Sequence, residues 1–239
     1  MDAFSSVHPS LWADLIAFDY WPEIGQGTLD TVVMTVVSLV LTVIVGLPLG
    51  VVLFLTGGSQ RSDKPLLARA QSVIHAVLSL LVNVLRSVPF LILLILLMPA
   101  TRELIGTSLG VAGSIPPLVV ATSPFFARLI ENLLREVEAG VFEVCRSLGA
   151  TTRQTVLWAL LPESVAGILG AITVTTIALI GYSAMSGVIG GGGLGDLAVR
   201  YGYQRFNTPV MIITVVILVV LVQLIQIIGD RVVTRLSHR

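Results

Sequence analysis

The chain of 239 residues is 55% hydrophobic and only 12% charged, with a mean hydropathy of +0.95, whereas a soluble domain has about 25% charged residues. Most of the chain must therefore face something other than water, which predicts an all-α membrane protein. The formal net charge of +0 gives no reason to expect nucleic acid as a partner, and the single cysteine, Cys145, excludes an internal disulfide and a cysteine-rich metal site.

The amino terminus contains no Lys or Arg over residues 1–28, so it lacks the basic region of a cleaved signal peptide. We expect residues 1–28 to form an extracytoplasmic or interfacial segment, with Trp12, Tyr20 and Trp21 at the membrane surface, where aromatic rings concentrate. Residues 29–239 then form the transmembrane domain. Its first span follows Asp30 and ends near Thr56.

Four more stretches are long enough to cross about 30 Å of hydrocarbon, which takes about 20 helical residues. The second span covers about 70–100 and is interrupted by Arg86 and Pro89. The third, 111–130, contains three prolines, which favours a kinked helix buried in the bundle, although a re-entrant segment also fits. The fourth and fifth cover about 164–189 and 209–229.

Basic residues set the orientation, because cytoplasmic loops carry an excess of Lys and Arg. With five spans, all the strongly basic segments lie on one side, which places the N-terminus outside and the C-terminus in the cytoplasm. That side holds Arg61, Lys64, Arg69, Arg135, Arg146, Arg153, Arg231, Arg235 and Arg239, and the other side holds Arg102, Arg200 and Arg205.

The cytoplasmic loop of about 135–162 has the signals of two helices separated by a sharp turn. The first helix is expected over 131–148 and ends at Gly149, since glycine adopts the left-handed conformation at a helix end. Thr151 and Gln154 form a T-x-x-Q capping box that starts the second helix, and Pro162 ends that helix or begins the next span. An ordinary interfacial hairpin and a rigid knob that transmits force to a cytoplasmic partner both fit this pattern.

Residues 143–162 resemble the E-A-A-x-x-x-G-(x9)-I-x-L-P signature of ABC-importer permeases. Glu143, Gly149 and the Leu161-Pro162 pair match it, while Val144, Cys145 and Ala159 replace its alanines and isoleucine with other small or apolar residues. The resemblance implies a coupling helix that docks in a groove of an ATPase subunit. The residues expected at that contact are Glu143, Arg146, Gly149, Ala150, Thr151, Leu161 and Pro162.

Other stretches resemble methionine-importer permeases in particular: "RSVPFLILL" at 86–94, "SPFFARLIENLLREV" at 123–137, "GYSAMSG" at 181–187 and "GGGGLG" at 190–195 with "YGY" at 201–203. This resemblance covers residues 28–239. It implies a homodimer in a bacterial inner membrane, two ATP-binding subunits and an extracytoplasmic substrate-binding protein, either periplasmic or a lipoprotein. No cofactor is expected in this chain, because ATP and Mg²⁺ would bind the partner ATPase.

Two sequences near the fourth span are candidate functional elements. In "GYSAMSG", the small residues suit tight helix packing, while Tyr182 and Met185 are three residues apart on one helical face and are candidates for a gate. The glycine run is expected to be a flexible turn on the outer side, or a plain loop. The resemblance implies that this face meets the binding protein, with Gly192, Gly193, Leu194, Gly195 and Tyr201 as candidate contacts.

Charges near the spans have two interpretations each. Arg86 faces a cavity or, as we expect, extends to the cytoplasmic surface. Arg128, Glu131, Arg135 and Glu138 are spaced as a stripe on one helical face, which is usually solvated but also suits a stiffened lever.

The absence of a P-loop sequence means that ATP must be hydrolysed by another polypeptide. We therefore expect a transport subunit that is not an enzyme, and the resemblance implies that it is the permease subunit of an ATP-driven importer of L- and D-methionine. An ABC permease for another amino acid or small organic ion is the alternative. A stand-alone secondary carrier is disfavoured because no carboxylate is expected deep in a span, and a membrane scaffold without a transport role is disfavoured by the resemblance alone.

Overall fold

The computed structural model describes residues 20–57 and 65–237, and within these ranges the chain is helical with no β-strand. Residues 1–19, with Trp12, lie outside the described residues, as do Arg61, Lys64 and Arg239. The orientation and the role of residues 1–28 therefore stay predictions.

Within the described residues, six long helices form the bundle and three short ones connect them. The long helices are α1 (Trp21–Thr56), α2 (Pro65–Ser87), α3 (Phe90–Ile105), α4 (Gly110–Glu136), α7 (Val165–Ser186) and α9 (Thr208–Ser237). The short helices are α5 (Ala139–Ser147), α6, which runs from Thr152–Gln154 through a wide π-helical turn (Thr155–Leu160) to Leu161–Glu163, and α8 (Gly193–Leu197), which continues into a second wide turn (Ala198–Tyr203).

The described helices give five crossings of the membrane, as predicted, and five of them are long and apolar enough to span it. The interrupted second span is one crossing made of α2 and α3, with a break at Val88 and Pro89. Val82 of α2 packs against Leu53 near the carboxyl end of α1. Phe90 of α3 belongs instead to a cluster with Met34, in the amino-terminal half of α1.

One sequence expectation about the spans needs correction, and one alternative is excluded. The first helix begins at Trp21, ten residues before the expected start at Thr31, so residues 21–28 extend the span as helix. The third span is one continuous helix of 27 residues that keeps Pro116, Pro117 and Pro124 inside it, long enough at about 40 Å to cross the bilayer. A re-entrant segment is therefore excluded. More of α4 is buried than of any other described span, because it lies at the centre of the bundle.

The closest contact in the bundle is between α1 and α4. Every fourth residue of α1 along this face is small and buried: Ser38, Thr42, Gly46 and Gly50. The Thr42 and Thr122 hydroxyls share a hydrogen bond of 2.6 Å. A Cβ atom added at Gly50 would lie 2.6 Å from the carbonyl oxygen of Ala127. Small residues at this spacing allow helix backbones to approach closely, which is how helices associate in lipid.

We predict that Gly50→Ala destabilises the protein and Gly25→Ala does not. Both glycines lie in α1, so both gain helix propensity on substitution, but a Cβ atom at Gly25 meets nothing within 4 Å. Overpacking at Gly50 should lower the free energy of unfolding by about 1–3 kcal/mol. Thermal unfolding of the purified variants in detergent measures the difference. Equal unfolding midpoints would show that α1 and α4 can move apart at Gly50 without loss of stability.

Candidate functional site

The loop between α4 and α7 differs from its prediction at one point. The expected continuous helix over 131–148 is wrong, because α4 ends at Glu136 and Val137 is extended, with φ −65° and ψ 133°. The Val137 side chain packs beside the apolar cluster that contains Phe54. The chain then restarts as α5, so α5 is a separate helix that changes direction relative to the span.

The turn at Gly149 has the geometry predicted from the sequence. Gly149 has φ +72°, and the backbone N–H of Ala150 donates to the carbonyl of Cys145 at 3.0 Å, which is the longer bond of a Schellman motif. The capping box of Thr151 and Gln154 is also confirmed, since the N–H of Thr151 donates to Gln154 Oε1 at 2.8 Å. The turn between α5 and α6 is therefore fixed by hydrogen bonds at both helix ends.

The loop is anchored to the bundle through apolar side chains. Val156 and Leu160 of α6 are buried in a cluster with Phe126, Ile130 and Leu134 of α4. From α5, the Phe142 ring lies 5.9 Å from the Phe54 ring of α1, centroid to centroid. Pro162 does not itself end the helix, since α6 continues to Glu163 after the wide turn. The loop therefore sits rigidly on α1 and α4.

Most of the predicted coupling residues lie on the exposed surface of this loop. Glu143, Gly149, Thr151 and Pro162 are exposed, Ala150 and Leu161 are half-buried, and Arg146 lies in α5. Val144 and Leu148 of α5 are apolar and yet 59% and 81% exposed. An exposed apolar surface on a capped helix suits contact with another protein.

The charged stripe on α4 is not a solvated face. Glu131 is only 2% exposed and forms ion pairs with Arg128 at 2.6 Å and Arg135 at 2.7 Å. Arg128 also donates to Ser79 and Asn83 of α2, at 2.9 Å each. Spacing alone does not show that α2 covers this face. The cluster holds α2 against α4, next to the anchored loop, while Glu138, the last member of the predicted stripe, is exposed in the connection to α5.

The glycine run is a packed element, so the expectation of a flexible turn is wrong. Gly190, Gly192 and Gly193 have positive φ, and a Cβ atom at Gly193 would lie 2.6 Å from Thr31 Oγ1. The Thr31 hydroxyl accepts a hydrogen bond from the backbone N–H of Leu194 at 2.9 Å. The glycines thus let α8 fold back against the amino-terminal half of α1.

The burial of three candidate docking residues corrects the prediction that they contact the binding protein. Gly193, Leu194 and Gly195 are buried inside the protomer, so they have no surface to offer a partner and instead shape this end of the bundle. Gly192 and Tyr201 are half-buried. The Tyr201 ring lies edge-on to Tyr20 at 5.3 Å, and the guanidinium of Arg205 lies 4.5 Å from its centroid. A surface of aromatic rings and cations therefore borders the glycine run.

The two candidate gate residues have different surroundings. Tyr182 is half-buried, and its ring stacks on Phe90 with the centroids 4.6 Å apart. Met185 is 42% exposed. It belongs to a stripe of exposed residues on α7 that also includes Val174, Gly181 and Val188. Tyr182 thus ties α7 to α3, while Met185 points away from the protomer.

Known proteins resemble this chain along most of its length. Residues 65–239 match the family model described as "Binding-protein-dependent transport system inner membrane component". A Pasteurella multocida protein named "Probable D-methionine transport system permease protein MetI" is 43% identical over 219 residues, which cover 92% of this chain and 98% of that protein. The "Methionine import system permease protein MetP" of Bacillus subtilis is 44% identical over 166 residues, covering 70% and 75%.

A solved structure also matches along most of the chain. It is described as "Inward facing conformations of the MetNI methionine ABC transporter" and superposes with a TM-score of 0.84 at 42% identity, covering 90% of this chain and 96% of that one.

We predict that Glu131→Ala destabilises the protein, because it leaves Arg128 and Arg135 without their shared carboxylate. The cost should fall below the about 3–5 kcal/mol of a fully buried pair, since Arg135 is 38% exposed and water screens part of its charge. Glu138→Ala is the matched control on an exposed carboxylate. Thermal unfolding in detergent compares the two, and a loss of the same size in both variants would contradict the bridging role of Glu131.

Proposed function

The chain belongs to the family of binding-protein-dependent transport system inner membrane components, and from that premise we propose that it is the permease subunit of an ATP-driven importer of L- and D-methionine. The observation that carries the proposal is the match, along about nine tenths of the chain, to a relative and a solved structure that are named for methionine transport. The five-crossing helical bundle gives the pathway its scaffold, and the chain acts in transport rather than as an enzyme.

The proposed assembly contains two copies of this chain, two ATP-binding subunits and an extracytoplasmic binding protein. Five crossings leave little room to enclose a pathway within one protomer, which supports a homodimer. The capped α5 helix, with its exposed apolar residues Val144 and Leu148, is the proposed contact for the ATPase. The surface around Tyr201, Arg200 and Arg205 is the proposed contact for the binding protein, and ATP with Mg²⁺ would bind only the ATPase.

In the proposed mechanism, ATP draws the two ATPases together and they push on the coupling loops. Because Val156 and Leu160 are buried against α4, a push on α5 moves the spans instead of being absorbed in the loop. Each protomer then moves as a rigid body between an inward-open and an outward-open arrangement. The N-terminus would lie outside and the C-terminus in the cytoplasm.

We also propose that Met185 contributes to closing the pathway. It is exposed on α7 beside Gly181 and Val188, so two copies of α7 meeting on the dimer axis would bring two Met185 side chains together. A thioether is apolar and flexible, which suits a seal that must exclude ions and still move. Tyr182 would act indirectly, since its stacking on Phe90 fixes the position of α7.

Uptake in vesicles tests the function. The chain is reconstituted with its ATPase and binding protein, and ATP should drive accumulation of labelled methionine of either configuration. Excess unlabelled methionine should suppress uptake more than other amino acids do. Equal suppression by a different amino acid or a small organic cation would favour a permease of another specificity. Uptake by the chain alone, driven by an ion gradient and independent of ATP, would indicate a secondary carrier.

We predict that Gly149→Val abolishes ATP-driven uptake, whereas Gly149→Asn retains most of it. No atom lies within 4 Å of a Cβ at this position, so the difference between the two variants tests backbone conformation alone. Asparagine tolerates positive φ, whereas a β-branched residue there raises the conformational free energy of the turn by about 1–2 kcal/mol. Both variants should insert and assemble, as judged by co-purification with the ATPase from mild detergent. Full uptake by Gly149→Val would show that the turn has no part in coupling.

A further inference from the structure

Arg86 lies in the last turn of α2, just before the break at Val88 and Pro89, and its side chain is exposed. Within residues 20–57 and 65–237, its guanidinium has no carboxylate partner and no hydrogen-bond acceptor. The other arginine of this region, Arg128, is in contrast paired with Glu131 and bonded to Ser79 and Asn83.

The contacts of the helices place Arg86 inside the crossing rather than at its end. Arg86 borders a cavity together with Ala121 and Phe125 of α4, and these two residues flank the level of Thr122, which bonds to Thr42. One turn before Arg86, Val82 packs against Leu53 of α1. Thr42 lies twelve residues, or about 18 Å, from Phe54, which contacts the loop. Arg86 therefore lies between the level of Thr42 and the loop end of α1.

Inside the crossing, the cavity that Arg86 borders supports the first of its two predicted alternatives, in which Arg86 faces a cavity. Charges inside a crossing face a cavity or the bundle interior and mark pathways for solutes, because exposure to lipid is costly. Arg86 therefore requires water or an anion in the space that it borders.

The cavity beside Arg86 has the chemistry of an amino-acid site. It has a volume of about 140 Å³ and is lined by Leu85, Arg86, Val88, Phe90, Ala121, Phe125 and Tyr182. Water needs only about 10–15 Å³ per molecule, so the space holds several waters or the head group of a small ligand. One cation thus stands beside apolar and aromatic side chains, among them the stacked pair of Phe90 and Tyr182.

We propose that Arg86 binds the α-carboxylate of the amino-acid cargo within the membrane, while the aromatic wall formed by Phe90, Phe125 and Tyr182 contacts the cargo's apolar side chain. This inference rests on the proposed function. A guanidinium presents two parallel N–H donors that match a carboxylate, and a thioether makes favourable contacts with aromatic rings. Arg86 belongs to α2, Phe125 to α4 and Tyr182 to α7, so bound cargo would touch three different crossings of the protomer.

Transport by Arg86 variants tests the site, with ATPase and binding protein present and the binding protein saturated with methionine. Arg86→Gln should lower the maximal uptake rate at least about tenfold while ATP hydrolysis and assembly stay within about twofold of wild type. Arg86→Lys should restore a substantial part of uptake, since it keeps the charge but loses the paired donors. Arg102→Gln, the same change on α3, should leave uptake unaltered.

Normal uptake by Arg86→Gln would overturn the proposal. Equal loss of uptake and of ATP hydrolysis in the Gln and Lys variants would also overturn it, because it would show that Arg86 is needed for structure. Failure of the wild-type assembly to import methionine is a different result, since it would reject the proposed function before Arg86 is tested.

A labelling experiment tests the site without measuring uptake. Cys145→Ser removes the only native cysteine of the chain, and Ala121→Cys then places a thiol on the cavity wall. A negatively charged methanethiosulfonate should modify this thiol faster than a positively charged one, added methionine should slow the reaction, and Arg86→Gln should abolish the charge preference. Rates that do not depend on residue 86 or on methionine would refute an anion site there.

Discussion

The close approach of α1 and α4 positions every other element of the protein. Lipid supplies no hydrophobic force between helices, so their association depends on tight packing and on hydrogen bonds across the contact. The buried Thr42–Thr122 bond and the glycines at 46 and 50 supply both. Because α4 touches α1 along its length, the two helices form a frame whose ends are about 35 Å apart, from Thr31 to Phe54.

Each end of this frame holds a different surface. At one end, Phe54 and Leu134 form the base on which the coupling loop is anchored. At the other, Thr31 bonds to Leu194 and keeps α8 against α1. The loop and the glycine run therefore lie at opposite ends of the bundle and are joined through a single pair of packed helices. A displacement at the loop reaches the far side only if this pair moves as a unit.

The main features of the fold could be predicted from hydropathy and charge, because long apolar stretches and basic loops are local properties of the sequence. The five crossings, the turn at Gly149 and the capping box of Thr151 are of this kind. Burial by another helix is not local. The spacing of the charges predicts a solvated face for Glu131, but Glu131 is buried between Arg128 and Arg135. The glycine content predicts a flexible run, but the small residues of that run pack against Thr31. The stripe of Ser38, Thr42, Gly46 and Gly50 is a local signal of close helix packing, because small residues recur at every fourth position.

Two charges within the crossings, Glu131 and Arg86, have opposite relations to their surroundings, and this difference separates structure from function. Glu131 is buried and satisfied by two arginines, so the cluster needs no further ligand and stabilises one arrangement of α2 and α4. Arg86 lies on α2, one turn after Asn83 and two turns after Ser79. It has no partner among the described residues, so its free energy depends on what enters the cavity. The free energy of the protomer changes when a carboxylate binds beside Arg86. Packed interfaces respond to such a change by moving between discrete arrangements rather than by bending. Cargo binding and the push at the loop would thus act on the same rigid unit.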